Sequence, residues 1–252
     1  MVAELRKNGA TLKRQCLVQE LITEKKNGSH HVSGVVVNGK KIRCGAVLSN
    51  ANLKTTIEKL LGLSKLPKSF ATMAQNVRLN STSCQVYIGL KKGAVIPESV
   101  GDLIFTSESP QFSTEELTHF HTTSRTFSIY YPDTRPHRKE PRYSIVASIN
   151  AKWKDWRDLS EEEYVDAKKR LCEESLVALE KIIPDVREMV DHLEAATPRT
   201  VNYYTQHAEG ATFGTKFEGL EVSSSLPDHA PGLFHAGSVG IIMSGWLGTC
   251  LL

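Results

Sequence analysis

The residues best placed to do chemistry lie near the end of the sequence, from Pro231 to Gly248, PGLFHAGSVGIIMSGWLG. The layout reads as a short buried strand ending at Gly237, a run of small residues, and the start of a helix. Such a turn presents backbone N–H groups and the positive end of a helix dipole to an anion or an electron-rich group. Five glycines between Gly232 and Gly248 let a large ligand approach the main chain closely. A tightly packed strand–turn–helix without any ligand accounts for the same pattern. The segment is not a Walker loop, because no Gly-Lys-Ser/Thr triplet occurs, and not a hydrolase elbow, because no GxSxG occurs.

Other candidate groups are weaker. His119-Phe120-His121 could put two imidazoles on one side of a strand, but only Glu115 and Glu116 lie near, so no metal site is expected and a surface loop is the simpler reading. His30-His31 reads the same way. Trp153, Trp156, Tyr130, Tyr131, Tyr203 and Tyr204 could line an apolar tunnel, with core packing the default for each singly. The five cysteines, at 16, 44, 84, 172 and 250, form no CxxC pair, and their odd number argues for reduced thiols. Ala230 to Leu252 carries no formal charge and is long enough to span a bilayer, which needs about 20 apolar residues. Its glycines, Pro231 and His235, and the lack of a basic flank, argue against a span. No residue is identifiable as a catalytic acid or base.

These groups need elements to position them. Residues 2–7 read as the end of a helix stopped by Asn8-Gly9. Residues 10–26 read as extended, and Asn27-Gly28 closes a hairpin onto the β-branched run 32–37. Asn38-Gly39 supplies a second two-residue turn. Ala46-Val47-Leu48 is short and apolar, as a buried strand would be. Asn50 or Asn52 can cap the helix LKTTIEKLLG, which Gly62 ends. The middle offers strand-like runs at 85–90, 102–106, 126–131 and 143–151, expected to form one antiparallel sheet. Ser160-Glu161-Glu162-Glu163 is a capping box opening a long helix that Pro184 interrupts, with further turns expected around Val186, Met189 and Val190. Thr197-Pro198 starts a turn or short helix, 207–219 reads as loop, and 232–237 as a strand.

The bulk properties are those of a globular protein: 252 residues, 40% hydrophobic, 23% charged. A net charge of +3 is too small to imply nucleic acid. The basic run Arg135 to Arg142, RPHRKEPR, reads as a solvated loop, with contact to anionic headgroups or phosphate as the functional alternative. No signal peptide is expected in MVAELRKNG.

Two segments together resemble one family. PGLFHAGSVGIIMSGWLG resembles the C-terminal flavin signature of the phytoene desaturase, carotenoid isomerase and retinol saturase group. KNGATLKRQCLVQELITE with VSGVVVNGKKIRCGAVLSNA resembles the same group's earlier segment. There a helix ends at a glycine, a strand runs along the adenine, a hairpin follows, and a strand ends in Ser-Asn-Ala.

The resemblance implies an FAD-dependent oxidoreductase of mixed α/β (α+β) class and amine-oxidase type. An incomplete Rossmann-like FAD-binding domain would come from residues 1–62 and 200–252, with an inserted antiparallel-sheet-plus-helices substrate domain at 63–199. It implies FAD contacts at Val18 beside adenine, Ser49 and Ala51 near the diphosphate, Gly237 and Ser238 at the ribityl and diphosphate, and Met243, Ser244 and Gly245 near the ring. It implies a small apolar polyene or isoprenoid substrate undergoing desaturation, saturation or cis–trans isomerisation. The reduced thiols point to an intracellular location, cytoplasmic, plastid or membrane-peripheral and not secreted, and peripheral membrane contact follows from the lipid-soluble substrate that the resemblance implies. The resemblance sets no oligomeric state.

Two departures stand out. The family opens with a strand, a GxGxxG turn and a helix, and no such stretch occurs in these residues. The expectation is therefore a chain matching the family's C-terminal two-thirds, through a fragment, an alternative start or an incomplete gene. And Ser238, not an acid, follows Gly237. A truncated, non-catalytic remnant or binding module of the same fold is the alternative; a tail-anchored protein is a third.

Overall fold

The computed structural model describes residues 2–132 and 142–240. Met243, Ser244, Gly245, Cys250, the tail from residue 241 and all of the basic run except Arg142 lie outside them. The chain divides into two compact units, Met1–Arg78 with Gly214–Leu252, and Leu79–Phe213.

In the first unit α1 (Val2–Lys7) precedes a meander of β1 (Val18–Lys26), β2 (Ser29–Val37) and β3 (Lys40–Arg43). Both hairpin turns form as the Asn-Gly pairs dictate, with φ of 49° and 84° at Asn27-Gly28 and 47° and 75° at Asn38-Gly39. Positive φ at both central positions gives the turn whose twist matches the flanking strands. Residues 10–17 are not strand, so the extended reading holds only from Val18.

β4 (Val47–Ser49) leads into a helical segment whose Thr55–Leu61 stretch is π-type. The amide of Gly62 closes it by donating to the carbonyl of Ile57, at 2.9 Å. Leu48 is 68% exposed, so β4 is not the doubly buried strand expected from its composition. α2 (Lys68–Asn76), α8 (Glu218–His229) and β10 (Leu233–His235) complete the unit. Leu21, Ile57, Leu61, Phe70, Leu226 and Leu233 form its core.

The second unit is a five-stranded antiparallel sheet in the order β6-β7-β8-β5-β9: β5 (Thr82–Leu90), β6 (Leu103–Thr106), β7 (Arg125–Tyr130), β8 (Ser144–Ala151) and β9 (Val190–Ala196). The four strands read from sequence are there in one sheet. β9 is an addition, and it corrects the helical reading beyond Val186, since only α6 (Val186–Met189) is helix.

One face packs under α5 (Glu161–Glu180), opened by the Ser160–Glu163 capping box, which buries Ala167, Leu171, Leu176 and Leu179. The other face leaves Leu103, Phe105, Tyr130 and Tyr87 at 69, 54, 42 and 40% exposed. Register explains the grouping, because Leu103, Ser128, Val146 and Tyr87 lie on one cross-strand row. Short helices α3 (Thr114–Leu117), α4 (Lys154–Arg157) and α7 (Pro198–Thr205) surround the sheet.

Candidate functional site

The first unit joins the two informative segments. β4 and β10 pair in parallel, Val47 with Leu233, Leu48 with Phe234 and Ser49 with His235. Parallel strands end on the same side, so Asn50-Ala51-Asn52 and Ala236-Gly237-Ser238 emerge together. In open α/β sheets ligands bind outside such carboxyl ends. The Ala236 amide donates to the Ser49 carbonyl at 2.9 Å, and Asn50 Nδ2 donates to the Ala236 carbonyl at 2.7 Å, across 186 positions of sequence. Asn50 is thereby a clamp between the turns, and Asn52 is the helix cap: its Oδ1 accepts from the Lys54 and Thr55 amides at 3.1 and 3.4 Å.

His235 lies at the centre of this junction, 8% exposed. Its Nε2 is 3.0 Å from the Ala51 carbonyl, which can only accept, so Nε2 carries the proton. Nδ1 is then the acceptor for the Ser223 hydroxyl of α8 at 2.8 Å. The ring ties β4, β10 and α8 together. It also lies against Gly237, where an added Cβ would come within 3.2 Å of Cε1. Burial pushes the imidazole below its usual range, with the Ala51 carbonyl opposing in part.

A pH dependence follows. The unfolded chain protonates His235 near 6.5 and the folded chain only at lower pH, so stability falls as pH drops through 6.5 toward the folded value and is fully present above it. Urea unfolding at pH 7.5 and 5.5 is expected to show the wild-type advantage over His235→Gln shrinking at the lower pH. An advantage independent of pH would refute it.

Of the residues named from sequence, Ser49, Ala51, Gly237 and Ser238 are brought to one junction. Ser49 and Ala51 have their polar groups committed internally. The Ala51 amide donates to Ser49 Oγ at 3.3 Å, and that hydroxyl pairs with Thr56 Oγ1 at 2.7 Å. Gly237 is buried and Ser238 half-buried. The Ser238 carbonyl accepts from the Thr215 amide at 3.3 Å, at a parallel bridge between Thr215 and Val239. Val18 opens β1 opposite Val37, and the five residues from there to Val32, where β2 meets Pro231, span roughly 16 Å of strand. Sequence reading missed His235, Ser223 and Gly214. A histidine inside a short apolar strand ahead of a glycine was the available signal for the first.

Small residues at the paired strand ends, and a buried amide donor at Asn52 Nδ2 without a partner among the described residues, would suit a dinucleotide. A dinucleotide offers acceptor oxygens and needs close backbone approach.

Among the described residues no group of three His, Cys, Asp or Glu could hold a metal ion. His119 and His121 lie in a turn after α3 and not on a strand, with their rings 5.9 Å apart. Glu116 instead accepts from Thr122 and Ser124, each at 3.0 Å. A cavity of about 720 Å³ beside β9 is lined by Trp153, Tyr203 and Tyr204 together with Arg157, Lys168 and Arg199, so it is not apolar. Trp156 is 2% exposed and belongs to the core, and Tyr131 donates to the Pro97 and Gly101 carbonyls. Cys16, Cys44, Cys84 and Cys172 are free thiols. No helix among the described residues is long and apolar enough to cross a membrane.

Fold and site together define a mixed α/β protein in which one unit is built from both ends of the chain around a parallel strand pair. The fold is similar to that of the crystal structure of an oxidoreductase from Methanosarcina mazei. The two share 12% sequence identity with a TM-score of 0.57, over 95% of this chain and 47% of that one. The chain thus spans about half the length of that structure, and the likeness is one of fold. No protein-family model matches the chain, and no curated protein matches it.

Proposed function

We propose that this chain is part of an FAD-dependent oxidoreductase acting on a polyene or isoprenoid, by desaturation, saturation or cis–trans isomerisation. The observation that carries the reading is the parallel β4–β10 pair, which sets Ser49-Asn50-Ala51 beside Gly237-Ser238. That is the juxtaposition a flavin dinucleotide would need from two segments so far apart in sequence. The shared fold with an oxidoreductase supports the redox assignment. The exposed apolar side chains Leu103 and Phe105 support an apolar substrate for the second unit.

Bound flavin would supply the acceptor or donor of hydride, and the chain would supply position and electrostatics. Gly237 keeps the main chain low, Ser238 presents a hydroxyl, and His235 with Asn50 holds the two turns in register. The resemblance places Met243, Ser244 and Gly245 near the ring. No proton-transfer role is assigned to any residue.

The test is flavin retention. Purified protein, or apoprotein titrated with FAD, is expected to show bound-flavin absorbance. Gly237→Glu would place a bulky carboxylate against His235 and is expected to abolish it. Colourless protein that takes up no FAD would favour a binding module without flavin, and unchanged FAD content in the variant would defeat the placement.

A further inference from the structure

Asn52 carries a polar group without a partner among the described residues. The side chain is 6% exposed, at the turn where β4 passes into the π-type helix. Its Oδ1 caps that helix through two backbone amides, at 3.1 and 3.4 Å. Those bonds fix which way the amide faces, since only the oxygen can accept from N–H groups. The NH₂ therefore points away from the helix it caps. Nδ2 is buried there and meets no acceptor among the described residues. A buried donor left unpaired costs about 1–3 kcal/mol. Serine would cap as well without that cost, so capping alone does not account for an asparagine here.

The neighbouring polar groups cannot stand in. Ser49 and Ala51 bond to each other and to Thr56, and Asn50 is held by the Ala236 carbonyl. The Lys54 ammonium is tied to the Gln75 carbonyl at 2.8 Å and to Glu58 at 3.0 Å.

We infer that Asn52 is a ligand-binding residue, its Nδ2 donating to a phosphate oxygen of the bound dinucleotide. The inference deepens the flavin reading and rests on it, placing the side-chain donor one residue beyond Ala51.

Asn52→Asp separates this role from a structural one. Aspartate keeps the capping oxygen and suits a helix N-terminus electrostatically, while replacing the donor with a negative oxygen. Thermal unfolding of the whole chain is followed with and without FAD. The variant is expected to stay folded without ligand, and to bind FAD at least about 10-fold more weakly, the size of one lost charge-assisted hydrogen bond. If Asn52→Asp does not fold, Asn52→Ser, which also caps, is measured in its place.

FAD binding equal to wild type in a folded variant overturns the inference while leaving the flavin reading intact. If the wild-type chain takes no FAD, the flavin reading fails and ADP and inorganic diphosphate become the probes. A stabilisation by either that is present in wild type and absent in the variant supports Asn52 as a phosphate donor. No stabilisation by either, or equal stabilisation of both proteins, overturns it.

Discussion

Gly214→Ala is expected to cost about 3 kcal/mol or more, combining positive-φ strain of about 1–2 kcal/mol with overpacking of about 1–3 kcal/mol. Gly214 has φ of +65°, and a Cβ there would sit 1.8 Å from the Ser238 carbonyl oxygen and 2.7 Å from its carbon. Those atoms are backbone, so no side-chain rotation relieves the clash. The chain must instead part where the Thr215 amide donates to Ser238 and the Gly240 amide donates to Thr215, at 3.3 and 2.8 Å.

The expected shift in melting temperature is a fall of about 6–12 °C for a chain of this size. Gly45→Ala is the control, because Gly45 has nothing within 4 Å of the added Cβ and no positive φ. It is expected to change stability by less than about 0.5 kcal/mol. A Gly214→Ala protein melting within 2 °C of wild type, by about the same scaling, would refute the close packing of Gly214 on Ser238. The variant also bears on the site, since displacing Ser238 moves the residue after Gly237. Under the proposed flavin reading, loss of FAD retention is expected to accompany the loss of stability.

How far the sequence foretold this arrangement depends on where the information for each element resides. The two Asn-Gly turns and the Ser160 capping box are local devices, set by two to four adjacent residues, and they form as read. β9 is not local. Asp191, His192 and Glu194 are poor strand formers, and the strand exists through pairing with β5 from Val190 opposite Leu90 to Ala196 opposite Gln85. α8 was overlooked because its three serines and Pro227 obscure a usable period, in which Gly219, Val222, Ser223 and Leu226 turn to one buried side. The apolar run around Leu48 predicts burial, but among the described residues β4 pairs with β10 in a two-stranded sheet and Leu48 is exposed.

The candidate site divides the same way. Motif spacing located the two strand ends, because glycine and small residues mark close backbone approach whatever the partner. It did not reveal which hydroxyls and amides had partners. Ser49 and Asn52 are equally polar in a string of letters. Only the fold turns the first inward onto Thr56 and leaves half of the second without a partner among the described residues. Nor could it reveal His235, whose role comes from carbonyl and hydroxyl partners 184 and 12 positions away.

The second large effect is expected at Phe127, in the other unit. Its ring is fully buried in a cross-strand row, Ile104, Phe127, Ala147, Val86 and Ala195. Two alanines in the row leave the depth that one phenylalanine fills beneath α5, whose Leu171, Leu176 and Leu179 join the same core. Small neighbours cannot collapse into the space a truncation leaves, because alanine has no side-chain torsion with which to repack it.

Phe127→Ala is therefore expected to lose about 3–5 kcal/mol, toward the upper end of the range for large-to-small core changes. Phe127→Leu, which keeps most of the volume, is expected to lose about 1–1.5 kcal/mol. Phe112→Ala removes the same side chain from a site 79% exposed and is expected to change stability by no more than about 0.5 kcal/mol. Denaturant unfolding of the three variants gives the order, and amide hydrogen exchange gives the location. Protection in Phe127→Ala is expected to fall first along β7, β8 and β5, which meet at that row. Equal costs at positions 112 and 127 would mean that the second unit lacks the packed sheet–helix core on which any substrate-binding role for its open face depends.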